Sequence, residues 1–357
     1  MIRLHSLSIK NFRGIREGQI DGFADVNVLV GRNNSGKTTL IEAITRAATT
    51  GGLQQDVFGR NVEQLWQQAR SSLPITRAVR PPNRQQQKAS AALGIPNSAA
   101  QVGDGESLLF YRQDRSREID IAVVLRSEGH SAKGEHLTYK HTAEKLPGAP
   151  RAQAERTETS LDPHVKQMFC GGITVFRPAD AFNAAVEQNF WPALLSDRRD
   201  RVLTKTLNEV FSLDAESFQR LPNSQFTVLF QDYSLPLDVQ GDGTRAAMRT
   251  LMTLSMLKGT LFMIEEPECH QHPGSLERFA GALCRLAKSQ SVQIIVSTHS
   301  GECVRSFMQA ANAAESSAAV FHLSLDNGKQ EARRLDPEAV ETLTNTGVDV
   351  RFLDLYA

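Results

Sequence analysis

The residues best suited to chemistry lie near the start of the chain, where residues 31–39 read GRNNSGKTT. Glycine at the first and sixth positions allows a tight loop whose backbone N–H groups point at a phosphate. Lys37 can then reach the β- and γ-phosphates of a nucleotide, and the hydroxyl of Thr38 can bind Mg²⁺. We therefore predict a site for ATP and Mg²⁺. The loop residues assigned to it are Asn33, Asn34, Ser35, Gly36, Lys37, Thr38 and Thr39.

Two adjacent carboxylates, Glu265 and Glu266, follow an apolar segment at 261–264. Two acids at the end of a buried strand cost free energy unless a cation or a reaction uses them. We predict that Glu265 holds Mg²⁺ through water and that Glu266 polarises the attacking water as a general base. The alternative is a solvated strand end with two surface acids. The phosphate-binding loop elsewhere in the chain favours the catalytic interpretation.

Two further positions complete the predicted site. His299 follows the apolar segment 292–296 and can sense the γ-phosphate or orient the water, although a histidine at a strand end is more often a polar cap. Gly241, Asp242 and Gly243 precede a helix, whose N-terminus offers a second anion-binding position. A lone G-x-G is weak evidence, but this one lies one helix before the two carboxylates.

The elements that position these residues alternate between strands and helices. The apolar run at 26–31 predicts a strand buried on both faces, and 37–48 has helical spacing, so the loop joins a strand to a helix. Residues 2–12 predict a half-buried strand with a phase slip near His5. Further strands are predicted at 107–113, 119–126, 136–142, 172–178, 226–239, 260–268 and 292–300. Helices are predicted at 180–220, 244–259 with Gly259 as C-cap, 275–289 and from Pro337, with a hairpin at Asn327–Gly328 and loops at 128–135 and 143–160.

Composition excludes several classes of protein. The 357 residues carry 40 Lys and Arg against 40 Asp and Glu, so nothing indicates a globally basic nucleic-acid binder. The four cysteines are far apart, which predicts a reducing compartment without disulfides. There is no signal-peptide pattern, and no apolar run approaches the ~20 residues that a membrane span needs. We expect a cytoplasmic protein with no membrane partner.

In combination, the motifs resemble those of a known class of ATPases. The order of phosphate-binding loop, G-x-G helix, carboxylate strand and strand-end histidine resembles an ABC-type ATPase head. The segments LSIKNFRGI, GRNNSGKTTLIEAI and IEEPECHQHP resemble the SMC/RecF branch, and most closely the overcoming-lysogenization-defect (OLD) family. The resemblance covers residues 1–50 and about 170–325.

The resemblance implies a homodimer, or a higher oligomer, whose heads sandwich ATP. In that arrangement Gly241 to Thr244 of one head would act on the γ-phosphate bound by the other, and residues 269–272 would cross the interface. Arg13 would approach phosphate, as the matching arginine does in SMC-like heads. The usual Ser-Gly-Gly signature is Gly-Asp-Gly here, and the Q-loop glutamine has no clear place, with Gln113 as the only guess. The cluster of Cys269, His270 and His272 could instead suggest a metal site.

The resemblance also frames two hypotheses of function. OLD nucleases continue into a Toprim nuclease domain, and we find no carboxylate cluster for one after His299. The first hypothesis is therefore an ATPase that controls or recruits a separate effector, a nuclease, in bacterial antiphage defence. The second is a RecF-like ATPase that binds DNA in repair. The basic, acid-free stretch at 64–103 supports the second, although five charges over that length are sparse.

Together these observations predict an α/β fold, namely an ABC-type P-loop ATPase head with a mixed sheet, an antiparallel β-subdomain and a short helical lobe. We expect residues 1–357 to form one head. Its predicted parts are a polar, basic insertion at 53–105, the helical lobe at 179–222 and a C-terminal tail at 330–357. The apolar end of the tail, 347–357, would either dock a partner or pack on its own head.

Overall fold

The computed structural model describes residues 2–50, 117–127, 135–143, 153–159, 169–221 and 225–355. The predicted insertion at 53–105, the predicted strand at 107–113, and Gln113 lie outside these residues. The strands are β1 (Ile2–Phe12), β2 (Ile15–Asp21), β3 (Val26–Val30), β4 (Ile119–Ser127), β5 (Glu135–Ala143), β6 (Gln153–Thr159), β7 (Thr174–Phe176), β8 (Ser217–Arg220), β9 (Phe226–Leu229), β10 (Ser234–Pro236), β11 (Leu261–Glu265), β12 (Gln293–Ser297), β13 (Ala318–Asp326) and β14 (Lys329–Leu335).

The residues that the structure describes form seven α-helices and three 3-10 turns. They are α1 (Lys37–Thr50), α2 (Ala185–Ser196), α3 (Asp200–Phe211), α4 (Asp242–Met256), α5 (Pro273–Gln290), α6 (Gly301–Ala313) and α7 (Pro337–Asn345), with 3-10 turns at Pro178–Phe182, Leu237–Val239 and Val350–Leu355. Among the helices described, none is both long and apolar enough to cross a membrane.

Eleven of the described strands form one large mixed sheet, in the order β6-β5-β4-β1-β2-β14-β13-β3-β12-β11-β7. Its strands β13, β3, β12, β11 and β7 run parallel, whereas β2, β1, β4, β5 and β6 form an antiparallel wing. Strands β8 to β10 make a separate antiparallel sheet. The predicted α/β class, with a mixed sheet and an antiparallel region, is confirmed. Because parallel strands share one carboxyl edge, the residues that follow β3, β7, β11 and β12 meet there.

Both faces of the central strands are buried, which explains their continuous apolar runs. Successive residues of a strand point to opposite faces. Val28 accordingly joins a core cluster with helices α2 to α6, whereas Leu29 joins a second cluster with α1 and the antiparallel wing. Ile294 and Ile295 of β12 divide in the same way.

Several local predictions are confirmed. The phase slip near His5 is a β-bulge, because the register of β1 against β4 shifts between Leu4 and Ser6. The hairpin turn at Asn327 and Gly328 has positive φ at both residues, 47° and 83°, as the tightest hairpin turns require.

Other local predictions are wrong. Residues 153–159 form β6 rather than a loop. Their sequence QAERTET is polar apart from Ala154, so only backbone pairing with β5 reveals the strand. Helix α4 ends at Met256 with Leu257 as its C-cap, and Gly259, at φ 62°, lies in the turn before β11. The predicted helical range 180–220 ends in strand β8, and residues 237–239 form a 3-10 turn rather than a strand.

Candidate nucleotide-binding site

The loop between β3 and α1 requires glycine at two positions. Gly31 has φ 140° and Gly36 has φ 91°, conformations that other residues rarely adopt. A Cβ atom at Gly31 would lie 2.2 Å from the carbonyl oxygen of Leu323, and one at Gly36 would lie 2.4 Å from Nε2 of Gln330. Strands β13 and β14 therefore press against the loop and hold its curvature.

Lys37 turns back into this loop. Its Nζ donates to the carbonyl oxygens of Gly31 at 2.7 Å and Arg32 at 3.0 Å. Burial lowers the pKa of Lys37 to about 8, and Glu266 opposes that shift. A buried ammonium in a glycine loop lacks a full counter-charge, and a phosphate in the loop would supply one. The loop therefore fits an anionic phosphate.

Thr38 and Glu265 meet at the same edge of the sheet. Burial raises the pKa of Glu265, although Arg177 and the adjoining Thr38 hydroxyl favour its ionised form. Its Oε1 atom is buried and has no hydrogen-bond partner among the residues described. A hydroxyl beside a carboxylate oxygen left without a partner is the oxygen donor set that Mg²⁺ prefers, so these residues fit the implied metal. Asn33, Asn34 and Ser35 lie within the same loop, and Thr39 lies in the first turn of α1.

Glu266 follows β11 with a strained backbone conformation. Its φ is 48°, and its N–H donates to the carbonyl oxygen of Ser297 at 2.8 Å. Its side chain is 45% exposed, and His299 places Nε2 4.0 Å from its Oε1 atom. The structure thus brings the predicted base and the predicted histidine together at a solvent-accessible edge, where a water molecule can reach both.

Glu268 was not singled out by the sequence, yet it joins two parts of the site. Its Oε1 atom accepts a hydrogen bond from the Thr298 hydroxyl at 2.5 Å and from the His299 N–H at 3.2 Å. It therefore ties the turn after β11 to the turn after β12. The only sequence signal for Glu268 was its position two residues after Glu266. That spacing does not reveal its hydrogen-bond partner, Thr298, which lies 30 residues further along the chain.

Arg13 lies against α1 rather than in the loop. Its backbone has φ 51°, and its guanidinium pairs with the carboxylate of Glu42, which is 3% exposed. Burial raises the pKa of Glu42 to about 7, although Arg13 opposes the shift. The predicted approach of Arg13 to phosphate stays a prediction. The pairing with Glu42 could not be read from the sequence because it joins two separate elements.

The G-x-G helix start forms a second cluster. Gly241 is the N-cap of α4, and a Cβ atom at Gly243 would lie 2.6 Å from the carbonyl oxygen of His270. Gln271 donates to the Gly243 oxygen at 2.9 Å, and His270 Nδ1 lies 3.8 Å from Asp242. Across the part of the chain described, the polar contacts of this cluster go to its own helix and to residues 270–271, and none goes to the phosphate-binding loop.

The three side chains of the alternative metal cluster have different partners. Cys269 Sγ donates to Glu266 Oε2 at 3.4 Å, His270 faces Asp242, and His272 Nδ1 accepts from the Gly274 N–H at 3.3 Å. Within the described ranges, no three such side chains are grouped as metal ligands. The geometry favours a loop over a metal centre.

The C-terminal 3-10 turn packs next to the site. Val350 and Leu353 are buried, so this part of the tail packs on its own head. Arg351 Nη1 donates to the carbonyl oxygen of His299 at 2.9 Å, and Asp354 pairs with Arg32 of the phosphate-binding loop at 3.0 Å.

Solved structures share this fold. A crystal structure of an Smc head bound to the C-winged helix domain of ScpA has a TM-score of 0.56 at 12% identity, covering 95% of this chain and 99% of that one. The Smc head with an extended coiled coil, bound to the C-terminal domain of ScpA from Pyrococcus furiosus, has a TM-score of 0.53 at 10% identity, covering 97% and 99%.

Sequence relatives match shorter segments. A 41-residue segment is 44% identical to an ATP/GTP phosphatase of Helicobacter pylori, spanning 12% of this chain and 11% of that protein. A 112-residue segment is 26% identical to an uncharacterised protein of Methanocaldococcus jannaschii, spanning 31% of this chain and 98% of that protein. The chain thus covers about a tenth of the length of the Helicobacter relative.

The chain has the fold of these two Smc heads. The family described as AAA ATPase domain matches residues 2–167 and 181–304, and the chain belongs to this family.

Proposed function

We propose that this chain binds ATP with Mg²⁺ and hydrolyses it to ADP and phosphate. The observation that carries the proposal is the meeting of four groups at one sheet edge: the Lys37 ammonium inside its loop, Thr38, Glu265 and Glu266. Lys37 and the loop N–H groups would hold the phosphates. Mg²⁺, held by Thr38 and through water by Glu265, would offset the charge that develops on the phosphate oxygens.

Glu266 would supply the base. Its carboxylate would accept a proton from the attacking water, which His299 would help to orient. Glu268 would keep His299 in place through its hydrogen bond to the His299 N–H. The new bond forms between the water oxygen and the γ-phosphorus, and the bond to the leaving ADP oxygen breaks.

We propose that the site is completed by a second copy of the chain. The support is that Gly241, Asp242 and Gly243 begin a helix and, among the described residues, make no polar contact with the phosphate-binding loop of their own head, so they are available to the nucleotide of another. A homodimer of this kind has two nucleotide sites, each built from both copies.

The first test is whether the chain binds nucleotide through the loop that contains Lys37. Affinity for a fluorescent ATP analogue is measured for the wild-type chain and for Lys37→Ala, in which the phosphates lose their ammonium partner. We expect binding to fall by at least tenfold in the variant. Near-wild-type affinity would show that the loop is not the nucleotide site. Sedimentation with ATP and Mg²⁺ should then show a dimer that ADP does not support.

We propose, on the motif resemblance to the OLD family, that the nucleotide state controls a separate effector, a nuclease, in antiphage defence. The two Smc neighbours were each solved with a domain of ScpA bound, which shows that heads of this fold can carry a separate protein. The test is to co-express the chain with each product of the adjacent genes. ATP-dependent co-purification that Lys37→Ala abolishes would support the proposal, and nuclease activity from the chain alone would contradict it.

A further inference from the structure

Arg177 emerges beside Glu265 from the neighbouring strand. The parallel register pairs Phe176 of β7 with Ile264 of β11, so the next residue of each strand reaches the sheet edge at the same level. Arg177 Nε lies 3.4 Å from Glu265 Oε2, and the arginine side chain is 20% exposed. This contact was not anticipated from the sequence.

The two oxygens of the Glu265 carboxylate have different surroundings. Oε2 faces the guanidinium of Arg177, whereas Oε1 is buried without a hydrogen-bond partner among the residues that the structure describes. A carboxylate that is held at one oxygen cannot rotate freely about its last bond. Its other oxygen, Oε1, is then presented in one direction and is available to the implied metal.

The backbone that carries Arg177 is held firmly. Its N–H donates to Asp180 Oδ2 at 2.9 Å, and the Asp180 N–H donates back to the Arg177 oxygen at 2.9 Å, with Asp180 only 5% exposed. The turn Pro178–Phe182 is fastened to α4, because Arg249 Nη1 donates to the Ala181 oxygen at 2.6 Å. Arg249 is 1% exposed, so this anchor is a core interaction.

We propose that Arg177 is a positioning residue for the metal site: it holds Oε2 of Glu265 so that Oε1 stays directed to the water shell of Mg²⁺. The inference rests on the proposed function, because it assigns the metal to Thr38 and Glu265. Partners that orient a metal-binding carboxylate commonly change metal affinity by about 10- to 100-fold when they are lost. The loss acts on the metal and leaves the phosphate-binding loop unchanged.

The test measures metal and nucleotide binding separately on the full chain. Mn²⁺ replaces Mg²⁺ so that electron paramagnetic resonance can report its binding in the presence of a non-hydrolysable ATP analogue. For Arg177→Gln we expect roughly tenfold weaker Mn²⁺ binding. Fluorescent nucleotide affinity in EDTA should stay within about twofold of wild type. Arg177→Lys, which restores the charge without the planar guanidinium, should recover part of the loss but remain about threefold weaker than wild type.

Each result decides the question. Mn²⁺ affinity within about twofold of wild type in Arg177→Gln would overturn the proposal. A loss of nucleotide affinity in EDTA as large as the loss of Mn²⁺ affinity would also overturn it, because it would indicate a structural role for Arg177. If the glutamine variant does not fold, Arg177→Met takes its place. If neither variant folds, the measurement is made on Arg177→Lys, and a wild-type Mn²⁺ affinity in that variant would contradict the proposal. A wild-type chain that binds no nucleotide would refute the proposed function instead.

Discussion

Glu266 combines a strained backbone with an accessible carboxylate, and its proposed role as the base can be isolated by one substitution. Glutamine keeps the size of the side chain but cannot accept a proton. We expect Glu266→Gln to bind ATP with wild-type affinity and to lower kcat by about 100-fold or more. Steady-state phosphate release at saturating ATP measures kcat. Turnover within a few-fold of wild type would indicate that Glu265 or His299 acts as the base instead.

Glu42 offers a pH-dependent prediction at the same scale. Its pKa of about 7 in the folded protein lies above its ordinary value of 4.5, so proton binding favours the folded state. This stabilisation is fully present below about pH 4.5 and is lost as the pH rises through about 7. We expect the free energy of unfolding of wild type, relative to Glu42→Gln, to fall by roughly 1–3 kcal/mol between pH 5 and pH 8.

Denaturant unfolding at several pH values measures this difference for Glu42. Glu277→Gln is the matched control, because Glu277 is an exposed glutamate on a helix. A flat difference for Glu42→Gln across this pH range would show that Arg13 keeps the carboxylate ionised throughout.

At the scale of elements, the junction of β3 with α1 depends on Gly31. The Gly31→Ala change adds a Cβ atom 2.2 Å from a backbone oxygen of β13 at a φ of 140°. We expect it to lower the free energy of unfolding by about 3 kcal/mol or more, because a backbone atom cannot move aside cheaply. Gly171→Ala is the control, since open space surrounds Gly171, and it should change stability by less than about 0.5 kcal/mol.

Chemical denaturation compares the two glycine variants. Equal stability would mean that β13 yields to the added methyl group. In that case the loop curvature would come from its own backbone and not from pressure by the sheet.

The same scale shows what the sequence could predict. The central strands were found because both of their faces are buried, which leaves unbroken apolar runs such as 261–264. Strand β6 was missed because all of its residues except Ala154 are polar and because its pairing with β5 is made by the backbone. Lys37 and Glu265 could be assigned to the predicted site from the sequence, because Lys37 lies within one contiguous motif and Glu265 lies next to Glu266 at the end of one strand. Arg177 and Glu268 were missed because their partners are brought close only by the folded sheet.

At the scale of the whole molecule, the C-terminal turn belongs to the core of the head. Leu353 is 4% exposed, whereas Leu355, two residues later, is 63% exposed. We expect Leu353→Ala to lower the free energy of unfolding by about 2–4 kcal/mol, because it leaves a cavity in the core. Leu355→Ala should change stability by less than about 0.5 kcal/mol. Thermal and denaturant melts of the pair make the measurement.

Equal, small effects of the two leucine variants would show that the turn is only loosely attached. The tail would then be available to a docking partner, which is the first of the two interpretations of its apolar residues.

The pairing of Asp354 with Arg32 has a practical consequence for anyone who purifies or labels this chain. Because Asp354 pairs with Arg32 of the phosphate-binding loop, a label attached at or close to Asp354 lies next to the proposed nucleotide site. In the proposed dimer, such a label would interfere with the approach of a second head. Handles and dyes are better placed elsewhere, and kinetic data from C-terminally tagged protein should be compared with data from protein whose tag has been cleaved.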